Sequence, residues 1–195
     1  MTVVNGIVLY TANQKEIKMS NVRYEVRNEE NAENPRLVGW KLGHFAFAHH
    51  KYDLGDEDQT FSIDQFENWD EVEKMLREER GAFLILKVSM TDHSSQQIYL
   101  GKPRSAWDSG VIGFCWMSKE EIIDLCGGLE ESNIAAAKKA LEGELARYNA
   151  WRNGEIYEAV IFDENDEPKD VFGGFLSEEE AKEYAERMIE EGHWN

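Results

Sequence analysis

Apolar residues along most of this chain recur with the periods of short strands and amphipathic helices. Alternation or short apolar runs predict strands at 3–10, 22–28, 42–50, 82–90, 97–100, 111–117, 155–162 and 170–176. Helical spacing predicts helices that begin after Asn68 and Ser118, near Ser132, and after Ser177. Asn68, Ser118 and Ser177 each have a Glu three positions later, which is typical of a helix start closed by a capping box.

Strands and helices occur without strict β-α alternation, and this order predicts an α+β fold. We expect a mixed or largely antiparallel sheet flanked by helices, with a C-terminal β-β-α unit formed by the last two strands and the last helix. A chain of 195 residues with 42% hydrophobic residues is long enough for one buried core. The prediction is a single domain over 1–195, with 1–128 and 129–195 as alternative sub-units.

Several classes of protein are excluded by what the sequence lacks. No apolar run approaches the roughly 18–20 residues that cross a bilayer, and the N-terminus does not resemble a signal peptide. The sequence therefore predicts a soluble cytoplasmic protein of the host cell with no membrane partner. Cys115 and Cys126 have no C-x-x-C spacing and are expected to be reduced. Walker A and dinucleotide fingerprints are absent, so no cofactor is predicted.

Charge is the extreme property of this chain, with 21 basic and 39 acidic residues and a net charge of −18. The excess is concentrated in 53–79, with eleven acids against two bases, and in 155–195, with fourteen against three. The candidate acidic binding face comprises Asp53, Asp56, Glu57, Asp58, Asp64, Glu67, Asp70, Glu71, Glu73, Glu78, Glu79, Asp163, Glu164, Asp166, Glu167, Glu178, Glu179, Glu183, Glu186 and Glu190.

This charge argues against direct binding to nucleic acid, because such binding uses Lys and Arg to replace counterions. Two interpretations of the acids remain open. Charged helix faces ordinarily keep a protein soluble. Alternatively, ordered carboxylates imitate a phosphate backbone, which carries about one charge per 1.7 Å of duplex axis, and occupy a basic surface of another protein.

A second candidate site combines histidines with carboxylates, the usual residues of metal centres. His44 and His50 lie too far apart along one strand for a shared ion, so a site requires the fold to bring His49 or His50 to the other candidates. The candidate catalytic residues are Asp92, His93 and Asp108, and the candidate metal ligands are His49, His50 and His93. The alternative is that these histidines simply satisfy hydrogen bonds at strand ends and turns.

The stretch SAWDSGVIGFCWM, residues 105–117, predicts an ordered turn that leads into a buried strand. Ser109 lacks the G-x-S-x-G context of a nucleophile, so Asp108 and Ser109 are expected to hold the turn through side-chain bonds to the backbone. Gly110 would supply the conformational freedom that the turn needs. Cys115 is expected to be a small core residue.

The segments KYDLGDED (51–58), TDHSS (91–95), SAWDSGVIGFCWMSKEEI (105–122) and ELARYNAWRNGEIYEAVIFDENDE (144–167) carry a family resemblance. Their order and the W-D-S-G-x-x-G-F motif resemble an uncharacterised family of small acidic proteins of phages, prophages and plasmids. Over 170–175 this chain has DVFGGF, which lacks the Cys and Trp of that family's Asp-Ser-Cys-Trp-Gly-Phe run. The resemblance carries no functional residue over to this chain, but small acidic proteins of mobile elements are often inhibitors of host defence.

Three hypotheses follow from these observations. The leading one is a non-enzymatic viral or plasmid protein of the anti-restriction or anti-CRISPR type, a DNA mimic that binds and inhibits a host protein with a basic, nucleic-acid-binding surface. The second is a metal-dependent hydrolase that uses the His/Asp cluster. The third is a scaffold or homo-oligomeric protein, such as a homodimer, with Trp151 or Trp194 in its interface.

Overall fold

The structure is a computed structural model, and it describes residues 3–4, 7–8, 22–38, 41–93 and 96–191. The strands are β1 (Val3–Val4), β2 (Ile7–Val8), β3 (Arg23–Asn28), β4 (His44–Phe47), β5 (Leu84–Asp92), β6 (Gln96–Leu100), β7 (Ser109–Met117), β8 (Tyr157–Phe162) and β9 (Pro168–Phe175). The helices are α1 (Trp69–Glu79), α2 (Lys119–Cys126), α3 (Glu131–Arg152) and α4 (Glu178–Glu190), and short 3-10 turns lie at Glu57–Gln59 and Ile63–Gln65.

A four-stranded antiparallel sheet with the order β4-β7-β5-β6 forms the centre of the molecule. One face packs against α2 and α3 through a cluster that includes Phe45, Cys115 and Leu141. The other face packs against α1 through a cluster that includes Phe114 and Leu76. Because β7 is an inner strand covered on both faces, its sequence is apolar almost throughout instead of alternating.

A second antiparallel sheet has the order β3-β8-β9 and is covered by α4. Ala159, Ala181 and Ala185 are buried at this contact, with Tyr24 and Phe175 packed beside them. The small alanine side chains allow α4 to approach the sheet closely. β1 and β2 pair with each other, and the rest of the predicted strand at 3–10 lies outside the described residues.

The α+β class is confirmed, and both larger sheets are antiparallel throughout. The packing does not follow a division at residue 128. α3 lies against the four-stranded sheet, and β3 from the first part of the chain pairs with β8 in the C-terminal unit. The C-terminal β-β-α unit therefore contains a third strand, β3, which is distant in sequence.

Local helix signals are confirmed with small differences. Ser118 and Glu121 form the complete capping box of α2, and Gly127 ends that helix in the left-handed region. Asn68 accepts hydrogen bonds from the backbone N–H groups of Asp70 and Glu71, whereas the Glu71 carboxylate accepts from the backbone N–H of Glu67 instead of closing the box at Asn68. None of the helices in the described ranges is long and apolar enough to cross a membrane.

Candidate functional site

Helix α1 and the chain before it hold the first acidic block on the outside of the four-stranded sheet. Val72 and Leu76 point inward and are fully buried, so the polar side of the helix faces solvent. Asp53, Glu57, Asp58, Asp64, Glu67, Asp70, Glu71, Glu78 and Glu79 are exposed, and Glu73 is half-buried. This exposed set, without Glu73, is called the α1 acidic face below.

Asp56 does not belong to this face, and its inclusion among the predicted binding residues does not fit the structure. It is only 2% exposed, and it receives two hydrogen bonds of 2.8 Å from the guanidinium of Arg36, which is also 2% exposed. The backbone N–H of Phe45 donates a third bond of 2.9 Å. Burial acts to raise the pKa of Asp56, but these hydrogen bonds outweigh burial and lower the pKa below its ordinary value. Asp56 is a structural anion.

Several carboxylates of the first block have cationic neighbours. Glu73 accepts a 2.8 Å bond from Arg77, Asp70 lies 3.6 Å from Lys87, and Asp58 lies 3.9 Å from Lys41. Within the described residues, six carboxylates of the α1 acidic face form no ion pair or side-chain hydrogen bond: Asp53, Glu57, Asp64, Glu67, Glu78 and Glu79. Their charge is therefore available to a partner.

The second acidic block is divided between a turn and α4. Asp163 accepts backbone hydrogen bonds from Asn165 and Glu167, and Asp166 pairs with Arg23. These contacts lower the pKa of both aspartates. Among the predicted binding residues of this block, the exposed carboxylates for which the described residues provide no ion pair or side-chain hydrogen bond are Glu164, Glu167, Glu178, Glu179, Glu183 and Glu190. Glu186 accepts a 2.8 Å bond from the Tyr24 hydroxyl.

The two blocks belong to different parts of the fold, because α1 packs on the four-stranded sheet and α4 on the three-stranded sheet.

Trp107 is the most exposed large apolar side chain in the described part of the chain, at 95%. The turn that presents it is held in place: the Ser105 hydroxyl accepts from the Trp107 N–H, and the backbone N–H of Asp92 donates a 2.9 Å bond to the carbonyl of Asp108. The predicted ordered turn is thus present, but the prediction for Gly110 is wrong, because this residue lies in β7 without a positive φ. An indole left in solvent gains no folding energy from burial, and tryptophan is among the residues enriched as binding anchors of interfaces.

Trp107 borders a cleft of about 420 Å³ that also contains the start of the α1 segment. Ile63 and Trp69 line this cleft together with Asp108 and His50. Ile63 and Trp69 directly precede Asp64 and Asp70 in sequence, so the cleft joins the exposed indole to the chain segment that carries the start of the α1 acidic face. The loop between β6 and β7, which presents Trp107, also carries Lys102 and Arg104, and no Asp or Glu occurs between His93 and Trp107.

The fold does bring several of the predicted His/Asp residues together. His49, His50, Asp92 and Asp108 line the same cleft, while His93 is exposed beside it. Desolvation, aided by the His50 charge, lowers the pKa of His49. The pKa of Asp108 is lowered chiefly by a hydrogen bond from Ser105, with His93 contributing through its charge.

These residues are engaged in ordinary structural contacts. Tyr52 donates to Asp92 at 3.1 Å, Lys51 lies 3.7 Å from the same carboxylate, and the ring of His49 stacks on Tyr52. In the portion of the chain covered by the structure, no group of three or more His, Cys, Asp or Glu is placed to hold a metal ion. The metal ligands proposed from sequence (His49, His50 and His93) therefore form no site of that kind.

The remaining candidates occupy other positions. His44 stacks on Trp116 and forms a 2.7 Å contact with Glu121, at the opposite end of β4 from the cleft. Trp151 is half-buried, and its indole N–H donates to the carbonyl of Ala32, so it is not an exposed interface residue. Trp194 lies outside the described residues. Cys115 is fully buried, and desolvation raises the pKa of its thiol well above the ordinary value, as expected for a core residue.

Sequence reasoning did not anticipate three features: the exposure of Trp107, the Arg36–Asp56 pair, and the cavity described below. No local signal distinguishes Asp56 from Asp58, because the partner of Asp56 lies 20 residues away in a loop. The exposed tryptophan had one usable signal, its position before Asp-Ser-Gly in a turn, where a large apolar side chain is unusual.

No protein-family model matches this chain, and comparison with curated proteins and with solved structures finds no match. The resemblance to small acidic proteins of mobile elements stays a prediction.

Proposed function

We propose that the protein is a non-enzymatic inhibitor that covers the basic, nucleic-acid-binding surface of another protein, with the α1 acidic face as its contact surface and Trp107 as its anchor. The observation that supports this choice is the cleft that Trp107, whose side chain is 95% exposed, shares with Ile63 and Trp69, the sequence neighbours of Asp64 and Asp70 in the α1 acidic face. The proposed class is the anti-restriction or anti-CRISPR type of a mobile element.

Rigid carboxylates are what a phosphate mimic requires, since ordering them in advance removes an entropic cost of binding. Helix α1 is capped at Asn68 and packed through Val72 and Leu76, so Glu78 and Glu79 extend from a fixed backbone. Its 11 residues span about 16 Å. Charge of this density steers association with a basic surface and suppresses binding to acidic ones.

The indole gives the proposal a specific centre. Interfaces typically contain a few aromatic anchors inside a polar rim, and the anchors contribute most of the affinity. Because Trp107 is adjacent to α1 and not to α4, we propose the first acidic block, and not the second, as the contact surface.

The proposal is tested by affinity capture from host lysate at low and at 0.5 M salt, with and without competing duplex DNA. The expected result is one nucleic-acid-handling protein that is released by salt and by DNA, identified by mass spectrometry. The purified target then gives affinities for each variant below.

Matched variants distinguish binding through the α1 acidic face from a general effect of the protein's negative charge. Asp64→Asn, Glu67→Gln, Glu78→Gln and Glu79→Gln together remove four charges from the α1 acidic face. Glu178→Gln, Glu179→Gln, Glu183→Gln and Glu190→Gln remove four from α4. Only the first set and Trp107→Ala should weaken binding by about tenfold or more. Equal effects of both sets, or binding that ignores 0.5 M salt, would refute the proposed face.

A further inference from the structure

A cavity of about 790 Å³ separates the C-terminal unit from the rest of the molecule. Its walls are one side of α3, the described residues Pro35, Val38 and Leu42, and the end of β9 at Gly173 and Gly174. A volume of this size is within the range of sites for small organic ligands, and such sites occur preferentially between structural units.

Most of the lining is apolar. Leu42, Val38, Trp151, Ile156 and Leu176 contribute to the walls. On α3, Ala140 and Gly143 face the cavity, and a Cβ placed on Gly143 would have no atom within 4 Å. The helix therefore presents a flat floor with open space above it.

Two of the charged side chains in the lining are already satisfied. Arg36 binds Asp56, Glu144 and the carbonyl of Gly43. Glu144 additionally accepts bonds from the backbone N–H groups of Leu42 and Gly43. Neither group has charge to offer a ligand without breaking this network.

Arg147 differs, because among the described residues it forms neither an ion pair nor a hydrogen bond. Its guanidinium extends from α3 toward β9, where a Cβ on Gly174 would lie 3.5 Å from its terminal nitrogen. Besides Glu144, the acidic side chains of the lining are Glu29, which accepts a 2.8 Å bond from the Gly174 N–H, and Glu33. A lone guanidinium above an apolar floor matches a small molecule with an apolar body and an anionic head.

We infer that this cavity is a binding site for a small amphipathic anion, a carboxylate, sulfonate or phosphate ester with an apolar body, and that Arg147 binds the anionic group. The apolar part lies on Ala140 and Gly143 against Trp151 and Leu42. This site is independent of the α1 acidic face and of the proposed inhibition.

The experiment uses two fluorescent probes that share an apolar body but differ in charge. 8-Anilinonaphthalene-1-sulfonate carries a sulfonate, and N-phenyl-1-naphthylamine is neutral. Titration of the full chain should give saturable binding of each probe at one site per molecule. Arg147→Gln should weaken sulfonate binding by about tenfold and change binding of the neutral probe by less than about twofold.

Lys139→Gln is the matched control, because it removes one exposed positive charge from the same helix at a residue outside the cavity lining. It should change neither affinity by more than about twofold. Glu29→Gln keeps an acceptor for the Gly174 N–H while removing a negative charge, so it should tighten sulfonate binding. Gly143→Leu should fill the floor and abolish binding of both probes, with the melting temperature and helical circular dichroism retained.

Should Gly143→Leu fail to fold, Ala140→Phe blocks the same floor from the previous turn of α3. Non-saturable binding of the probes, or binding that survives a folded floor-blocking variant, overturns the site. The assignment of the anionic group to Arg147 is overturned if a floor-blocking variant abolishes binding but Arg147→Gln leaves sulfonate affinity unchanged. It is also overturned if Lys139→Gln weakens sulfonate binding as much as Arg147→Gln does.

Discussion

The guanidinium of Arg36 meets the carboxylate of Asp56 side by side, with two hydrogen bonds of 2.8 Å and both side chains 2% exposed. The same guanidinium lies 3.8 Å over the ring of Phe45 and reaches Glu144 on α3. The pair therefore fastens two loops, the edge strand β4 and α3 at one point. Because both charges are desolvated, the loss of either partner leaves the other without its main counterion, with only Glu144 remaining beside Arg36 or Lys41 beside Asp56.

Asp56→Asn is expected to lower the free energy of unfolding by about 3 kcal/mol, since it leaves the buried Arg36 charge without its main counterion. Urea denaturation at pH 7 measures this. Asp58→Asn is the control, because Asp58 is exposed and lies 3.9 Å from Lys41, and its loss should cost less than about 0.5 kcal/mol. Similar losses in the two variants would show that the pair has no special role.

The same pair predicts a pH dependence. Arg36 and the Phe45 N–H hold the pKa of Asp56 below its ordinary value despite burial, so the folded state binds this proton less readily than the unfolded state. The contribution of Asp56 is thus fully present above about pH 4 and is lost as the pH falls through the folded pKa. Urea midpoints at pH 7 and pH 3 should differ less in Asp56→Asn than in the wild-type chain. An unchanged difference would contradict this prediction.

Gly113 lies in β7 where an extra residue enters the pairing with β5. It has a φ of +147°, and a Cβ at this position would overlap with the carbonyl oxygen of Ala46. Gly113→Ala is therefore expected to lower the free energy of unfolding by about 3 kcal/mol, because both the positive φ and the overlap disfavour a Cβ at this position. Gly101→Ala isolates the effect of a positive φ, because Gly101 has a φ of +99° and a Cβ at this position would have no atom within 4 Å. This variant should lower the free energy of unfolding by about 1–2 kcal/mol. Chemical denaturation of both variants measures the difference.

Replacement of Trp107 and of Trp116 by alanine should affect the free energy of unfolding very differently. Trp107 is 95% exposed, so Trp107→Ala should change the unfolding free energy by less than about 0.5 kcal/mol. Trp116 is 4% exposed and packs with Phe114 and Leu76, so Trp116→Ala should cost about 3–5 kcal/mol. Thermal and urea unfolding measure both changes. A strongly destabilised Trp107→Ala would mean that the turn depends on the ring for its stability.

Gly143 offers a stabilising change. It lies inside α3 with open space around its Cβ position, so Gly143→Ala should raise the unfolding free energy by about 0.5–1 kcal/mol through helix propensity. Gly154→Ala is the contrast, because Gly154 also has open space but a φ of +68°, and the substitution should be destabilising. A destabilised Gly143→Ala variant would show that the space above the helix is filled in solution.

Helix starts were predictable because their signals are local. Asn68, Ser118 and Ser177 are the N-caps of α1, α2 and α4, as the pattern predicts. Each of these signals lies within three residues of the helix start. The apolar run at 111–117 likewise predicted a buried strand, and the structure covers β7 on both faces. These features depend on neighbours in sequence, which the pattern contains.

Long-range partners were not predictable from the same patterns. The charges of Arg36 and Asp56 look like surface charges until the fold buries both, and β3 gives no sign that its partner is β8. The sequence predicted the acidic residues themselves, but only the structure shows that α1 and α4 carry them on different sheets.

The pairing of β3 with β8 also has a consequence for how this chain acquires its structure during synthesis. Arg27 and Glu158 form an ion pair across this contact although 131 residues separate them. While a ribosome elongates the chain, β3 emerges early and has no partner until β8 follows, whereas the four-stranded sheet can assemble in between. The three-stranded sheet should therefore form last. Its formation should be slow, because the chain must lose the entropy of closing this long loop before the contact between β3 and β8 stabilises it.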